Sequence, residues 1–351
     1  MLTGPPAVAW ATGGVAPPVD RTAGVDLVWA VISPSGCGLI TTAVEADRIR
    51  DEYGPSRHGF AELAVVPWYA DDGFIRAAES LAGAPRSRLA ADGHPAFGSD
   101  ATGDLVAMRL ALSPAEQADL RELGADAAAA LQLSLSLWRP GERDLDLQAR
   151  CAATLEARGA DAPVLIVGGD ERVERYRHPM AVGAPVRRLA MAVVVARRAG
   201  LHAAVTRFAS AGPVDAGYAA LRERVLAIEL DVLSSCTPAA SYGTALAAMD
   251  AAYARAGAPG GWAEHYQGGP IGFGQREFEI APSQRECRWQ AEPIQAGHAV
   301  AWNPSLRGGA KAEDTYIVTA DGLERVTACD PWPAEPADAL QPARPAVLEL
   351  S

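Results

Sequence analysis

Polar side chains that could take part in chemistry are concentrated in the stretch from 265 to 319. A histidine titrates near neutral pH and suits proton transfer, so His265 is a candidate acid or base. The carboxylate of Glu313 could act in the same way if burial raises its pKa. Asn303 offers both a hydrogen-bond donor and an acceptor, and Arg276 supplies a planar fork for a carboxylate or phosphate. The stretch contains three short phrases: His265-Tyr-Gln-Gly-Gly-Pro-Ile-Gly272, Trp302-Asn303-Pro304 and Lys311-Ala-Glu313-Asp-Thr315.

These phrases resemble the active-site half of the M24, or pita-bread, family, which includes aminopeptidase P, prolidase, methionine aminopeptidase and creatinase. Most of those enzymes hold two metal ions on two aspartates, one histidine and two glutamates. The resemblance is extended by Ala204-Val-Thr206-Arg207, which matches an Asp-x-Thr-Arg phrase of the family. Residues without metal-binding side chains stand at three of the five ligand positions, and an amide stands at the fourth: Val193, Ala204, Gly269 and Asn303. Glu313 keeps the fifth.

Two divalent cations need several anionic ligands. One carboxylate and one amide cannot supply them, so the sequence predicts no metal and no other cofactor. Creatinase implies an alternative, because it hydrolyses a C–N bond with histidine and carboxylates and without metal. By that resemblance His178, in Arg175-Tyr-Arg-His178-Pro, would be the acid/base, and His265 and Glu313 would bind and orient the substrate.

The other residues near these positions have two interpretations each. Arg276 could anchor an anionic group of the substrate, or it could pair with Glu313 and fill the space left by the metals. Arg207 could line the pocket or form an internal salt bridge with Glu313. Tyr266 could donate a hydrogen bond in the same cleft, beside Asn303. His178 could also be a structural histidine in a basic turn.

Secondary-structure patterns predict an α/β protein with two domains and a tail. In residues 1–112 the strand-like segments are 7–12, 25–33, 38–42 and 61–66, the helical segments are 43–53 and 73–81, and 92–104 is a loop. This part resembles a creatinase-type N-terminal domain. Residues 113–330 are expected to form the pita-bread domain, and the Pro- and Ala-rich residues 331–351 a surface tail.

The second domain is expected to begin with a helix, because Ser113-Pro-Ala-Glu116 is a capping box with proline at the first helical position. That helix should run to about residue 137. Further helices are predicted at 144–158, 215–233 and 238–256, and strands at 164–167, 189–196 and 203–208, the last two joined by a turn at Gly200.

Composition limits the classes of partner. The net charge of −12 disfavours nucleic acid and anionic membranes. The five cysteines, Cys287 among them, form no Cys-x-x-Cys pair, which fits reduced thiols in the cytoplasm. There is no signal-peptide pattern and no apolar run of about 18 residues, the length that a membrane span requires. By resemblance, the chain is expected to form a homodimer through its N-terminal domain.

Three functions fit these observations. The first is a metal-independent, creatinase-like enzyme that acts on a C–N bond of a small amine, amide or guanidino compound. The second is a catalytically silent pseudopeptidase that serves as a binding or assembly protein. The third is an Xaa-Pro aminopeptidase with a non-standard metal site. The first requires His178, His265 and Glu313 to converge in one polar pocket, whereas pairing of Arg276 with Glu313 would favour the second.

Overall fold

The structure, a computed structural model, describes residues 1–14, 19–280, 288–335 and 343–351. The chain divides into two compact units, Met1–Arg109 and Leu110–Ser351. The predicted tail at 331–351 falls within the second unit, and Cys287 lies outside the described residues. The division at 112 and 330 remains a prediction.

The described residues form α-helices in both units. Their bounds are α1 Pro5–Thr12, α2 Ala46–Arg48, α3 Gly73–Ala82, α4 Thr102–Arg109, α5 Pro114–Ser136, α6 Asp144–Glu156, α7 Asp170–Arg175, α8 Ala216–Ser235 and α9 Tyr242–Arg255. A π-helical turn at Ile49–Tyr53 continues α2.

Strands alternate with these helices. Their bounds are β1 Val28–Ser33, β2 Gly36–Thr42, β3 Glu62–Val66, β4 Ala90–Ala91, β5 Ser99–Asp100, β6 Glu142–Arg143, β7 Asp161–Gly169, β8 Pro185–Val186, β9 Leu189–Arg198, β10 Leu201–Ala211, β11 Gly268–Ile271, β12 Ala299–Trp302, β13 Asp314–Thr319, β14 Gly322–Arg325, β15 Ala334–Glu335, β16 Arg344–Pro345 and β17 Leu348–Leu350.

The first unit is built on the sheet β1–β2–β3, in which β1 and β2 are antiparallel and β2 and β3 are parallel. The strand predicted at 7–12 is wrong, because those residues lie in helix α1. Prolines occupy the first turn of α1, where a missing N–H costs nothing, and Gly13 ends the helix with a φ of 61°. The predicted loop at 92–104 is also too long, since α4 begins at Thr102.

The second unit contains the sheet β17–β10–β9–β7. Strands β9 and β10 form a hairpin with its turn at Gly200, as predicted, and Ala199 and Gly200 both have positive φ. Helix α5 packs against both strands. It begins as predicted, because the Ser113 hydroxyl accepts from Glu116 N and the Glu116 carboxylate accepts from Ser113 N.

A second sheet, β11–β12–β13–β14, is antiparallel throughout. Two backbone hydrogen bonds join residues at the ends of its strands to β10, and the Thr315 hydroxyl on β13 makes two more with the Ala204 backbone. His202 N donates to Gly272 O at 2.8 Å, and Thr206 N donates to Glu313 O at 3.0 Å. These bonds hold the 265–319 stretch beside β10, which contains the Thr206-Arg207 phrase.

The end of the chain joins the first of these sheets, because β17 pairs in parallel with β10. Residues 331–351 were predicted to form a surface tail, and part of that range, 336–342, lies outside the described residues. Among the described residues no helix is long and apolar enough to cross a membrane.

Candidate functional site

Glu313 is the centre of the polar cluster between β10 and β13. Its side chain is buried, with the residue 5% exposed. The Thr206 hydroxyl donates to Oε2 at 2.6 Å, and Asn303 Nδ2 donates to Oε1 at 3.2 Å. The Oδ1 atom of Asn303 is buried and has no partner among the described residues. The cluster therefore offers one unused acceptor beside a buried carboxylate.

Arg207 contacts a different acid from the one expected. It donates to Asp314 Oδ1 at 2.7 Å, and both side chains are 4% exposed. The predicted alternative, a salt bridge between Arg207 and Glu313, is wrong. Successive residues of an extended chain point to opposite faces. Thr206 and Glu313 therefore meet on one face, while Arg207 and Asp314 meet on the other.

Lys311 provides a cation beside Glu313. Its Nζ atom lies 4.0 Å from Glu313 Oε2, and the residue is 7% exposed. Lys311 is the only lysine in the chain. It precedes Glu313 by two residues, which is the spacing that places side chains on the same face of an extended segment. The buried carboxylate thus faces an ammonium group.

The residues at the positions where the resemblance predicts metal ligands pack against their neighbours. Val193 is buried in an apolar cluster with Met191 and Phe208, and Ala204 is 3% exposed. Gly269 has a φ of +135°, which L side chains rarely adopt, and the nearest atom to an added β-carbon would be in the Trp302 ring at 3.7 Å. An added β-carbon would therefore be in ordinary contact with the indole, and it is the backbone conformation that disfavours a histidine at this position.

Within the described ranges, no group of three or more His, Cys, Asp or Glu side chains could hold a metal ion. The side chains that surround Glu313 supply a hydroxyl, an amide and an ammonium group. Only the first two are oxygen donors, and the ammonium repels a cation. This donor set does not fit two divalent metals.

His178 lies within electrostatic range of the same cluster. Burial of the ring lowers its pKa, and Lys311 and Arg276 lower it further, whereas Glu313 acts to raise it. The residue as a whole is exposed. The arrangement therefore puts an imidazole with a lowered pKa at the outer edge of the cluster, within electrostatic range of Glu313.

His265 belongs to a partly buried hydrogen-bond network. Its Nε2 atom lies 2.8 Å from Ser305 Oγ and 3.0 Å from Gln267 Nε2, and its Nδ1 lies 2.7 Å from Tyr266 O. Burial lowers the pKa of His265 to about 4, with Lys311 adding to the effect. The ring is therefore neutral at pH 7 and held in one orientation.

Arg276 does not fill the centre of the cluster. Its guanidinium pairs with Glu279 and lies over the Tyr266 ring, 5.2 Å from the centroid. The predicted alternative, in which Arg276 pairs with Glu313, is wrong. An acid three residues away on the same turn gives Arg276 a nearer partner. Tyr266 is 67% exposed, so it lies at the rim.

A cavity of about 110 Å³ opens next to this cluster, and Ser305 and Lys311 lie in its wall. Four basic and two acidic side chains line it: Arg175, Arg177, Arg307, Lys311, Glu174 and Glu264. Arg177 donates to Ser305 Oγ at 2.5 Å and to Glu264 Oε2 at 2.5 Å. The cavity is small and carries an excess of positive charge.

The structure thus places Asn303 and Lys311 beside Glu313, with His178 and His265 within electrostatic range of Lys311. Arg276 and Tyr266 lie at the rim. Arg207 faces away from the cluster. Their catalytic and binding roles remain predictions. Lys311 and Ser305 were not identified from the sequence, although the spacing of Lys311 and Glu313 was a usable signal. Ser305 carried no signal, because its partners come from distant segments.

The family model described as metallopeptidase family M24 matches residues 118–320. A comparison with the curated proteins finds no match.

Solved structures of prolidases and dipeptidases are similar over almost the whole chain. A prolidase from Pyrococcus horikoshii OT3 has a TM-score of 0.72 at 16% identity, covering 94% of this chain and 93% of that one. An Xaa-Pro dipeptidase from Bacillus anthracis has a TM-score of 0.70 at 18% identity, with coverage of 99% and 94%. Dipeptidase PepE from Mycobacterium ulcerans has a TM-score of 0.69 at 20% identity, with coverage of 98% and 97%. These likenesses confirm the predicted α/β fold class.

Proposed function

This chain belongs to metallopeptidase family M24, and from that premise we propose that it is a hydrolase that works without the metal pair. Its substrate would be a small amine, amide or guanidino compound, and the bond cleaved would be a C–N bond. The pairing of Lys311 with Glu313 carries the proposal. An ammonium in contact with a buried carboxylate supplies the compensating charge that a metal ion would otherwise provide.

The remaining groups of the cluster suit a nitrogen-containing substrate. The free Oδ1 of Asn303 can accept a hydrogen bond from a substrate N–H, and a buried acceptor without a partner is costly until it is used. His178 would assist proton transfer, because burial lowers the pKa of its ring, Lys311 lowers it further, and Glu313 acts in the opposite direction. Arg276 at the rim could meet an anionic end of the substrate.

The experiment is turnover in the absence of metal. The purified chain is dialysed against a chelator, its metal content is measured, and it is assayed with a panel of small amides, amines and guanidino compounds. Turnover should survive dialysis, and it should fall by about 100-fold or more in His178→Gln and Glu313→Gln. The matched control is Asp231→Asn, an acid in an exposed ion pair far from the cluster in sequence. Two equivalents of bound transition metal, or loss of turnover in chelator, would overturn the proposal.

A catalytically silent binding protein is the second candidate. It is favoured by the saturation of Glu313 and His265, since each of their polar atoms already has a partner within the chain. Binding of a compound from the same panel, seen as a thermal shift with no turnover, would select this candidate. The homodimer expected from the sequence remains a prediction, and light scattering during size-exclusion chromatography measures it.

A further inference from the structure

We propose that Ser305 is a nucleophile, activated by His265, that attacks the carbonyl carbon of a small amide bearing an anionic group. The inference rests on the proposed hydrolase function and specifies its attacking atom and substrate class. It starts from the 2.8 Å contact between Ser305 Oγ and His265 Nε2.

The hydrogen bonds of His265 determine which ring nitrogen is free. Nδ1 lies 2.7 Å from Tyr266 O, and a carbonyl can only accept, so Nδ1 carries the proton. Nε2 then holds a lone pair that faces the Ser305 hydroxyl. Serine is activated in hydrolases by this arrangement, which consists of a nucleophile, a base and a third group that orients the base.

Gln267 supports this tautomer. Its Nε2 lies 3.0 Å from His265 Nε2 and 2.7 Å from Trp262 O, which makes the amide nitrogen a donor to both. Its Oε1 accepts from the Tyr253 hydroxyl at 3.1 Å. Gln267 and Ser305 therefore share the one lone pair of His265 Nε2, and of these two donors the Ser305 hydroxyl is nearer and is the group that a base can deprotonate.

Positive charge surrounds Ser305 on the side of the cavity. Arg177 donates to Ser305 Oγ at 2.5 Å, and such a bond stabilises the developing alkoxide. Lys311 and Arg307 also line the cavity. Cations aimed at a reacting oxygen stabilise a tetrahedral oxyanion. The same excess of positive charge favours an acyl group with an anionic substituent, and about 110 Å³ of space restricts it to a small one.

The covalent step balances without an external reagent. The Ser305 oxygen forms a bond to the carbonyl carbon while its proton passes to His265 Nε2. The C–N bond then breaks, and the same proton leaves with the amine. Water attacks the resulting ester and gives one proton to His265, which passes that proton to the departing Ser305 oxygen. The carboxylic acid and the free hydroxyl are then released. No oxidant, reductant or metal takes part.

Methanesulfonyl fluoride is a probe of suitable size, because attack of a serine oxygen on its sulfur forms an S–O bond and expels fluoride. The full chain is treated with the probe, and adducts are located by mass spectrometry of intact protein and peptides. We expect one adduct, on Ser305. It should be absent in Ser305→Ala and should form about 100-fold more slowly in His265→Gln.

Ser210→Ala is the matched control. Ser210 is also buried, but its hydroxyl donates to Gly212 O at 2.8 Å and has no histidine partner. This variant should be labelled like the natural chain. Circular dichroism and the unfolding midpoint verify that each variant is folded.

The outcomes separate the two proposals. Absence of an adduct on Ser305 in the folded protein, or an adduct at another residue only, overturns the nucleophile. Metal-free turnover that persists in Ser305→Ala also overturns it and leaves the hydrolase proposal standing. Labelling of Ser305 at a rate that depends on His265 supports the nucleophile even if no amide in the panel is hydrolysed.

Discussion

The Nζ atom of Lys311 lies 4.0 Å from Oε2 of Glu313, and neither side chain is more than 7% exposed. A buried charge without a partner is strongly destabilising, so each of these groups makes the other tolerable. The chain contains one lysine, and it stands next to the one carboxylate that matches a family ligand position. The buried charges of the cluster are therefore stable only as a pair.

Replacement of Lys311 by Met should lower the free energy of unfolding by about 3 kcal/mol, because Glu313 is left buried without its cation. The double variant Lys311→Met with Glu313→Gln should recover most of the loss. Denaturant unfolding measures both. Arg307→Met is the control, since the ion pair of Arg307 with Glu264 is largely exposed and should contribute under about 1 kcal/mol. Equal losses for Lys311→Met and this control would contradict the prediction.

Replacement of Asp314 by Asn should cost about 3 to 5 kcal/mol, because it removes the charge that faces the buried Arg207. The turnover assay should show that any remaining folded protein keeps its activity, since Arg207 and Asp314 lie on the face opposite Glu313. Asp231→Asn, in an exposed pair with Arg255, should change the unfolding free energy by less than about 1 kcal/mol. A loss of activity without a loss of stability would place Asp314 in the site.

Stability should fall as the pH drops from about 6.5 to about 4, in part through His298. Burial lowers its pKa to about 4, so the unfolded chain binds more protons than the folded chain in that window. The neutral form is thus favoured by folding, and the stability it confers is present above pH 6.5 and lost on acidification.

His298→Gln should remove about 3 kcal/mol of this pH dependence, measured as the change in unfolding free energy between pH 7 and pH 4. Tyr242→Phe is the matched control. It removes the hydroxyl that lies 3.0 Å from His298 Nδ1 but keeps the titrating ring, so the pH dependence should stay. An unchanged slope in His298→Gln would refute the assignment.

Ser113→Ala should destabilise the protein by about 1 kcal/mol, because it removes one side of the capping box at the start of α5. Thermal or denaturant unfolding gives the value. Ser136→Ala, at the other end of the same helix, is the comparison, since its hydroxyl donates only to Leu133 O. It should change the unfolding free energy by at most about 0.5 kcal/mol. Equal effects at the two ends would argue that the cap contributes nothing.

Local signals predicted the parts of the fold that depend on neighbours in sequence. The capping box located α5, and the turn at Gly200 located the β9–β10 hairpin. Helix α1 was missed because an apolar run of six residues fits a strand or a helix equally well. Pro5 and Pro6, in the first turn of α1, were the signal that favoured the start of a helix.

The site was predictable only where a phrase was contiguous. Glu313, Asn303 and His265 could be identified from short motifs. Their contacts could not be predicted, because each joins segments that are far apart in the chain. Thr206 contacts Glu313, and Ser305 contacts His265. Lys311 lies two residues before Glu313, and strand alternation alone is enough to place it on the same side as Glu313. The salt bridge between Arg207 and Asp314 follows from the same alternation of side chains along a strand.

The pairing of Thr206 with Glu313 and of Arg207 with Asp314 also limits how this sequence can change during evolution. Two adjacent residues on each segment serve opposite faces, so inserting or deleting one residue in either segment would exchange them. Arg207 would then project toward the Glu313 cluster, and Asp314 would lose its cation. A change of length in either segment therefore costs both contacts at once, whereas a substitution in place preserves the register.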